Sequence, residues 1–238
     1  MTITNAGAVV TGGTEGIGLA TIRALGQAGA RVAFCARTAD RVSVTEATLR
    51  GEGLVVHGFP CDVTDPAQVH RFAEQVRAAV GDPTILINNA GIGRFGPLDE
   101  MTLDTWDAVQ ATNVRSLFLV TKAFLPPMKA AGHGDVVVVA SLAGKNGIVG
   151  GTAYTASKHA ALGFAKSLLL EVRPHGVRVV AVCPGSVDTA FFAGREPRTA
   201  RESMLHPSDV AEAIVATLRQ PRHATISELD IRPANPQA

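Results

Sequence analysis

The strongest constraint on the fold is a regular alternation between short apolar runs and longer segments with helical periodicity. Strands that alternate with helices form a parallel sheet, because each helix carries the chain back to the edge where the next strand starts. The sequence therefore predicts an α/β fold in which a doubly wound, seven-stranded parallel sheet has helices on both faces. The seven apolar runs are 6–11, 31–35, 54–59, 84–87, 136–140, 177–183 and 226–231.

Length and composition indicate one domain. A chain of 238 residues, 46% of them hydrophobic, can bury one large core, and no linker, repeat or low-complexity segment divides it. We therefore expect a single domain over residues 1–238. A segment at about 186–206 follows the sixth apolar run, and we expect it to cover the substrate as a short lid.

Charge and patterning disfavour several classes of function. The 22 basic and 21 acidic residues give a net charge of +1, which disfavours binding to nucleic acid or to an anionic membrane. The N-terminus lacks a signal-peptide pattern and no apolar run approaches about 18 residues, so we expect a soluble, cytoplasmic protein. Three separated cysteines in apolar runs predict buried thiols, and seven scattered histidines without ligand spacing predict no metal site.

A glycine-rich turn follows the first apolar run and precedes a helical pattern that starts at Leu19. Gly12, Gly16 and Gly18 would let backbone amides and a helix N-terminus approach a pyrophosphate. Glycine is also common in tight turns for conformational reasons alone, so the turn by itself leaves both interpretations open. The end of the second run favours a nucleotide, because Arg37 stands where an acid would bind the ribose of NAD and where an arginine attracts the 2′-phosphate of NADP.

The other strand ends supply further candidate cofactor contacts. The acidic Glu15 in the glycine turn would oppose a nearby 2′-phosphate, whereas Arg37 attracts one. On balance NADP(H) is the preferred cofactor, and NAD(H) is the alternative. Asp62 ends the third run, where its carboxylate can accept a hydrogen bond from an adenine amino group. Asn89 after the fourth run belongs either to a simple turn or to a ribose site, and Val187 and Thr189 after the sixth run are placed to touch a nicotinamide.

The chemical centre is expected between Ser141 and Lys158. Tyr154 and Lys158 are four residues apart and therefore share one helical face. A nearby cation lowers a tyrosine pKa from its usual value near 10, so we expect Tyr154 to exchange protons at neutral pH. Ser141 ends the fifth run, where its hydroxyl could hold a substrate oxygen beside Tyr154. A tyrosine and a lysine at this spacing also occur by chance in packing roles, so the pair alone does not decide.

A long helix is predicted from about residue 102, and Pro126 and Pro127 are expected to end it. Asn113 is polar within the apolar pattern of that helix, which leaves it either simply exposed or placed to organise a proton path beneath Lys158. Asp65 precedes a proline and is best explained as the capping residue of another helix.

Taken together, these features resemble the short-chain dehydrogenase/reductase family over nearly the whole chain. The resemblance implies a Rossmann-type fold and hydride transfer between a nicotinamide cofactor and a carbonyl or secondary alcohol. It also implies a catalytic tetrad with Tyr154 as general acid in reduction and general base in oxidation. The tetrad consists of Asn113, Ser141, Tyr154 and Lys158. The matching segments are Thr11–Gly18, Asp62, Asn88–Gly91, Asn113, Ser141, Tyr154–Lys158 and Pro184–Gly185.

The resulting hypothesis is an NADP(H)-dependent oxidoreductase acting on a small to medium substrate, and the alternative is a catalytically silent nucleotide-binding regulatory or scaffold protein. The resemblance further implies a homodimer or homotetramer formed through helices around 102–126 and 151–173. We expect Arg94, Leu142 and Phe191 to line the substrate pocket, with Arg94 as an anion contact. The expected cofactor contacts are Gly12, Thr14, Gly16, Ile17, Gly18, Arg37, Asp62, Val63, Asn89, Ala90, Gly91, Tyr154, Lys158, Pro184, Gly185, Val187 and Thr189.

Overall fold

The sheet has the predicted parallel architecture in the computed structural model, which describes residues 3–192 and 201–234. Its seven strands pair in the order β3-β2-β1-β4-β5-β6-β7, and each of these pairs is parallel. The strands are β1 (Gly7–Thr11), β2 (Arg31–Ala36), β3 (Val56–Pro60), β4 (Ile85–Asn88), β5 (Gly134–Val139), β6 (Val177–Pro184) and β7 (Glu228–Ile231). The helices are α1 (Gly16–Gln27), α2 (Ala39–Gly51), α3 (Pro66–Val80), α4 (Leu103–Gln110), α5 (Ser116–Ala131), α6 (Thr152–Val172) and α7 (Pro207–Leu218). The chain order reverses between β1 and β4, which opens a crevice at the carboxyl edge of the sheet.

Both faces of the sheet are buried, which explains why the strands read as continuous apolar runs. In β5, Val136 and Val138 pack in the apolar cluster that includes residues of α3, α5 and α6. Val137 and Val139 point the opposite way, into the cluster that includes residues of α1, α2 and α7. The alternation of side chains along a strand thus places one helical layer on each side of the sheet.

The long helix predicted from residue 102 differs from expectation in two respects. It is divided into α4 and α5 by a π-helical turn, Ala111–Arg115, that contains Asn113. Pro126 and Pro127 do not end it, because α5 continues to Ala131 and stops at Gly132, whose φ is +69°. The buried side chain of Met128, 1% exposed, favours the extra turn and outweighs the backbone donors that the prolines lack.

Two further local predictions, the cap of α3 and the state of the cysteines, agree with the structure. Asp65 caps α3, since its side chain accepts hydrogen bonds from the backbone N–H groups of Ala67 and Gln68. Cys35, Cys61 and Cys183 are buried free thiols, as expected. Within residues 3–192 and 201–234, no helix is long and apolar enough to cross a membrane.

A buried ion-pair network lies at the amino ends of β5 and β6, away from the crevice. Asp135 Oδ1 accepts a hydrogen bond from Arg178 Nε at 2.6 Å, and Asp135 Oδ2 accepts one from Arg222 Nη1 at 2.9 Å. Arg178 also donates to the backbone carbonyl of Leu218 at 3.0 Å. The network therefore ties the sheet to the C-terminal end of α7, and its position indicates a structural role.

Candidate active site

A cavity of about 640 Å³ opens at the carboxyl edge of the sheet, within the range typical of small-molecule sites. Residues that follow all seven strands line it, because parallel strands deliver their carboxyl ends to the same edge. The expected site residues on its wall are Gly12, Thr14, Gly16, Ile17, Arg37, Asp62, Val63, Asn89, Ala90, Gly91, Ser141, Leu142, Tyr154, Lys158, Pro184, Gly185, Val187, Thr189 and Phe191. Gly18, Asn113 and Arg94 are not on this wall.

The glycine turn presents the start of α1 to the cavity. Gly16 has a φ of +54°, which favours glycine, and it is the first residue of the helix. Gly18 lies behind the turn, where an added Cβ would stand 2.1 Å from the carbonyl oxygen of Gly12. Glu15, the residue before the helix, makes no side-chain capping bond. The first amides of α1 therefore fit a pyrophosphate, the anion that a helix N-terminus binds.

Asn89, which follows β4, is hydrogen-bonded to this turn. Asn89 Nδ2 donates to the carbonyl oxygens of Thr11 and Gly12 at 2.9 and 3.1 Å. Thr11 Oγ1 accepts hydrogen bonds from the backbone N–H groups of Asn89 and Ala90, both at 3.0 Å. Of the two interpretations given for Asn89, a turn or a ribose site, its amide nitrogen has a structural role, since it holds β4 against the glycine turn, and the residue also lines the cavity.

Charged side chains gather where β2 and β3 end. Arg37 follows β2 and is exposed at the cavity wall. Asp62 Oδ1 accepts hydrogen bonds from the backbone N–H and the hydroxyl of Thr64 at 2.9 and 2.8 Å, which fixes its carboxylate at the wall. The carboxylate of Glu15 forms an ion pair with Arg41, with 2.6 Å between Oε2 and Nη2. Arg41 was not expected at this site, although it lies in the first turn of α2, close in sequence to Arg37.

Tyr154 and Lys158 stand together on the first turns of α6. Their side chains are buried, and Lys158 Nζ lies 5.7 Å from the centroid of the Tyr154 ring. Lys158 Nζ also donates to the carbonyl oxygen of Val139 at 2.9 Å. Ser141 follows β5, accepts a hydrogen bond from the backbone N–H of Ala143 at 3.1 Å and makes a side-chain hydrogen bond with Tyr154. The structure thus brings these three expected residues together.

The expected direction of the tyrosine pKa shift is wrong. Burial raises the pKa of Tyr154 to about 12, and the hydrogen bond with Ser141 opposes that rise. The rings of Phe95 and Phe191, with centroids 5.5 and 5.4 Å from that of Tyr154, supply part of its apolar surroundings. Burial also lowers the pKa of Lys158 to about 8. At pH 7 the hydroxyl therefore keeps its proton, and most Lys158 side chains remain charged.

Asn113 lies one layer behind the cavity rather than on its wall. Its side chain is 2% exposed. Its Oδ1 accepts a hydrogen bond from the backbone N–H of Ile92 at 2.8 Å, and its Nδ2 donates to the carbonyl oxygen of Ile92 and to Ser157 Oγ, both at 2.9 Å. The π-helical turn places this amide between the chain after β4 and α6. Asn113 is therefore neither simply exposed nor directly bonded to Lys158.

The substrate side of the cavity has an apolar wall, and its basic residue is not the expected one. Leu142 and Phe191 line the cavity. Arg94 does not, because its side chain is exposed and donates to the adjacent carbonyl oxygen of Gly93. Arg232, which follows β7, lines the wall instead. No signal in the sequence linked this C-terminal arginine to the strand ends that precede it.

Residues near the two ends of the expected lid are hydrogen-bonded to each other. Val187 forms an isolated parallel bridge with Leu205, and Asp188 N–H donates to the carbonyl oxygen of Leu205 at 2.8 Å. Asp188 also pairs with Arg201 across the same gap. Residues 193–200 of the lid at about 186–206 lie outside the described residues, so the expected cover over the substrate stays a prediction.

Comparison with known proteins shows the family to which this chain is similar. A family model described as short chain dehydrogenase matches residues 6–200. A protein of Streptomyces violaceoruber named "Granaticin polyketide synthase putative ketoacyl reductase 1" is 44% identical over 184 residues, which cover 76% of this chain and 68% of that protein.

Two solved structures have the same fold over almost the full length. A metagenomic short-chain oxidoreductase in complex with NADP superimposes with a TM-score of 0.86 at 36% identity, covering 99% of this chain and 100% of that one. A variant of actinorhodin polyketide ketoreductase with NADPH gives a TM-score of 0.88 at 34% identity and covers 96% of each chain.

Proposed function

Since the chain belongs to the short chain dehydrogenase family of oxidoreductases, we propose that it interconverts a ketone and a secondary alcohol with NADP(H), and that Tyr154 transfers the proton. One observation carries this proposal: the buried Tyr154 side chain lies beside Lys158 and Ser141 in a cavity whose wall also includes the glycine turn and the start of α1. A protein that only bound nucleotides would gain nothing from burying this tyrosine and lysine together.

Tyr154 is suited to act as the general acid of carbonyl reduction. Its pKa, raised by burial to about 12, keeps the hydroxyl protonated at neutral pH, which is the form that can donate to a carbonyl oxygen. Lys158, mostly charged at pH 7, favours the phenolate that remains after donation. Ser141, hydrogen-bonded to Tyr154, holds the carbonyl oxygen within reach of the same hydroxyl.

The cavity wall supports NADP(H) as the cofactor, with NAD(H) as the alternative. When bound, this cofactor supplies or accepts the hydride. The start of α1 would hold its pyrophosphate and Arg37 its 2′-phosphate, because an arginine fork matches a phosphate. Asp62 would bind the adenine, and Val187 and Thr189 would contact the nicotinamide. The relatives of known structure, described with NADP or NADPH, support the same choice.

The substrate is proposed to be a ketone of small to medium size with an apolar portion. Leu142, Phe95 and Phe191 give the wall near Tyr154 its apolar character. The granaticin relative, whose printed name includes ketoacyl reductase, makes ketoacyl compounds the first class to test.

We include a homodimer or homotetramer in the proposal. Large apolar side chains are exposed on the helices that we expect to form the interface. Leu103 on α4 is 72% exposed, Phe118 on α5 is 52% exposed and Leu170 on α6 is 59% exposed. Such side chains favour association. Light scattering coupled to gel filtration tests this directly, since a monomer at micromolar concentration would contradict it.

The experiment that tests the function is a reduction assay with NADPH or NADH against a panel of ketones that includes ketoacyl thioesters and simple ketoesters. We expect oxidation of NADPH with at least one of them and a slower reaction with NADH. The coenzyme is also titrated by fluorescence without substrate. Tight NADPH binding without turnover on any member of the panel would favour the catalytically silent alternative.

A further inference from the structure

One ion pair on the cavity wall takes no part in the proposed reaction. Glu15 Oε2 and Arg41 Nη2 lie 2.6 Å apart, and both side chains line the cavity. Glu15 immediately precedes α1, and Arg41 is the third residue of α2. The pair therefore bridges the glycine turn and the helix that follows β2.

The surroundings of the pair suit an anion, and the carboxylate of Glu15 now occupies that place beside Arg41. Arg37 and Thr38 line the same part of the wall, between the end of β2 and the start of α2. Two arginines, Arg37 and Arg41, thus line the cavity near Glu15, while the other carboxylate on this wall, that of Asp62, is hydrogen-bonded to Thr64. Glu15 is about half exposed and makes no capping bond with α1, so its carboxylate is not fixed by the helix. Asp40, in the first turn of α2, is not on the cavity wall.

We propose that Arg41 is a second ligand of the 2′-phosphate of NADP(H), and that Glu15 holds this arginine in place until the phosphate displaces the carboxylate. The inference rests on the proposed function, because it assumes that the cavity binds the cofactor. A carboxylate and a phosphate offer the same paired oxygens to an arginine fork, so one can replace the other without moving Arg41. An exposed ion pair is weak, which makes the exchange inexpensive.

Glu15 then becomes a determinant of cofactor choice. Its negative charge opposes the 2′-phosphate, whereas the neutral 2′-hydroxyl of NAD(H) leaves the pair with Arg41 intact. Removal of the Glu15 charge should therefore tighten binding of the phosphorylated cofactor alone. Removal of the Arg41 charge should weaken binding of that cofactor alone.

The test uses two fragments that lack the nicotinamide, so that binding is measured without catalysis. Adenosine 2′,5′-bisphosphate and adenosine 5′-monophosphate are titrated calorimetrically into wild type, Glu15→Gln and Arg41→Gln at low ionic strength. The matched control is Arg23→Gln, because Arg23 and Glu52 form an exposed ion pair that is not on the cavity wall. The ratio of the two affinities isolates the contribution of the 2′-phosphate.

We expect Arg41→Gln to reduce the preference for the bisphosphate about tenfold, the factor that corresponds to about 1.4 kcal/mol. Glu15→Gln should raise it roughly threefold to tenfold at low salt, and Arg23→Gln should leave it unchanged. An unchanged preference in Arg41→Gln, or a reduced one in Glu15→Gln, would overturn the inference while leaving the proposed function intact. Failure of the wild type to bind either fragment, NADPH or NADH would refute the proposed function itself.

Discussion

The buried lysine of the site should cost the protein stability at neutral pH. Lys158 is 6% exposed, and burial lowers its pKa from 10.5 to about 8. In the unfolded chain this lysine keeps its proton up to about pH 10.5, so between pH 8 and 10.5 the unfolded state binds more protons than the folded state. The contribution of Lys158 to the free energy of unfolding must therefore rise with pH between pH 8 and 10.5 and reach its maximum above pH 10.5.

The size of the effect follows from the two pKa values. One pKa unit corresponds to about 1.4 kcal/mol, so the difference between 10.5 and about 8 amounts to about 3 kcal/mol. Lys158→Met removes this pH-dependent contribution together with the hydrogen bond from Nζ to the Val139 carbonyl, a loss of about 1 kcal/mol. At pH 7 the variant should be at least as stable as wild type, and at pH 10.5 it should be less stable.

Urea unfolding at matched protein concentration between pH 7 and 10.5 measures this difference, with the single tryptophan, Trp106, as the fluorescent probe. The free energy of unfolding of wild type minus that of Lys158→Met should rise by about 3 kcal/mol over the range. The control is Lys166→Met on the same helix, because the Lys166 side chain is 68% exposed and should give no such rise. A difference between wild type and Lys158→Met that is constant with pH would refute the reasoning.

Three further predictions concern other parts of the molecule. Asp135→Asn leaves the buried guanidinium of Arg178 without its ion partner, so it should lower the free energy of unfolding by about 3–5 kcal/mol. The affinity for NADPH should not change. A loss below about 1 kcal/mol in urea unfolding would contradict this prediction. Gly18→Ala places a Cβ 2.1 Å from the Gly12 carbonyl oxygen and should weaken NADPH binding more than about tenfold. An equal affinity for NADPH in variant and wild type, measured by fluorescence titration, would contradict this. The kcat/KM for NADPH should fall as pH rises above about 8, because Lys158 loses its charge there, and a flat profile up to pH 10 would count against the lysine's role.

Most of the fold was predictable because its signals are local. A strand buried on both faces reads as an unbroken apolar run, as Val136 to Val139 do, and runs that alternate with helices leave few possible topologies. The prolines of α5 show the limit of local reasoning. Pro126 and Pro127 predict a helix end, but burial of Met128 against the sheet carries the helix one turn further.

The site was predictable where a residue follows a strand, and less so elsewhere. Ser141 and Asp62 reach the cavity simply because their strands end there. Arg94 was wrongly expected in the cavity, and Arg41 and Arg232 were missed, because sequence position does not tell which way a long side chain turns. The raised pKa of Tyr154 has a similar origin, since Phe95 and Phe191, which lie against it, come from distant segments.

The most direct test of the proposed function is a single-turnover reduction by Tyr154→Phe, using the best ketone of the panel and enzyme saturated with NADPH. Fluorescence titration first establishes that the variant binds NADPH as wild type does. We then expect the rate of NADPH oxidation to fall by at least about 100-fold, since the proton donor is gone while the cavity is otherwise unchanged. A rate within about tenfold of wild type would contradict the assignment of Tyr154 as the general acid.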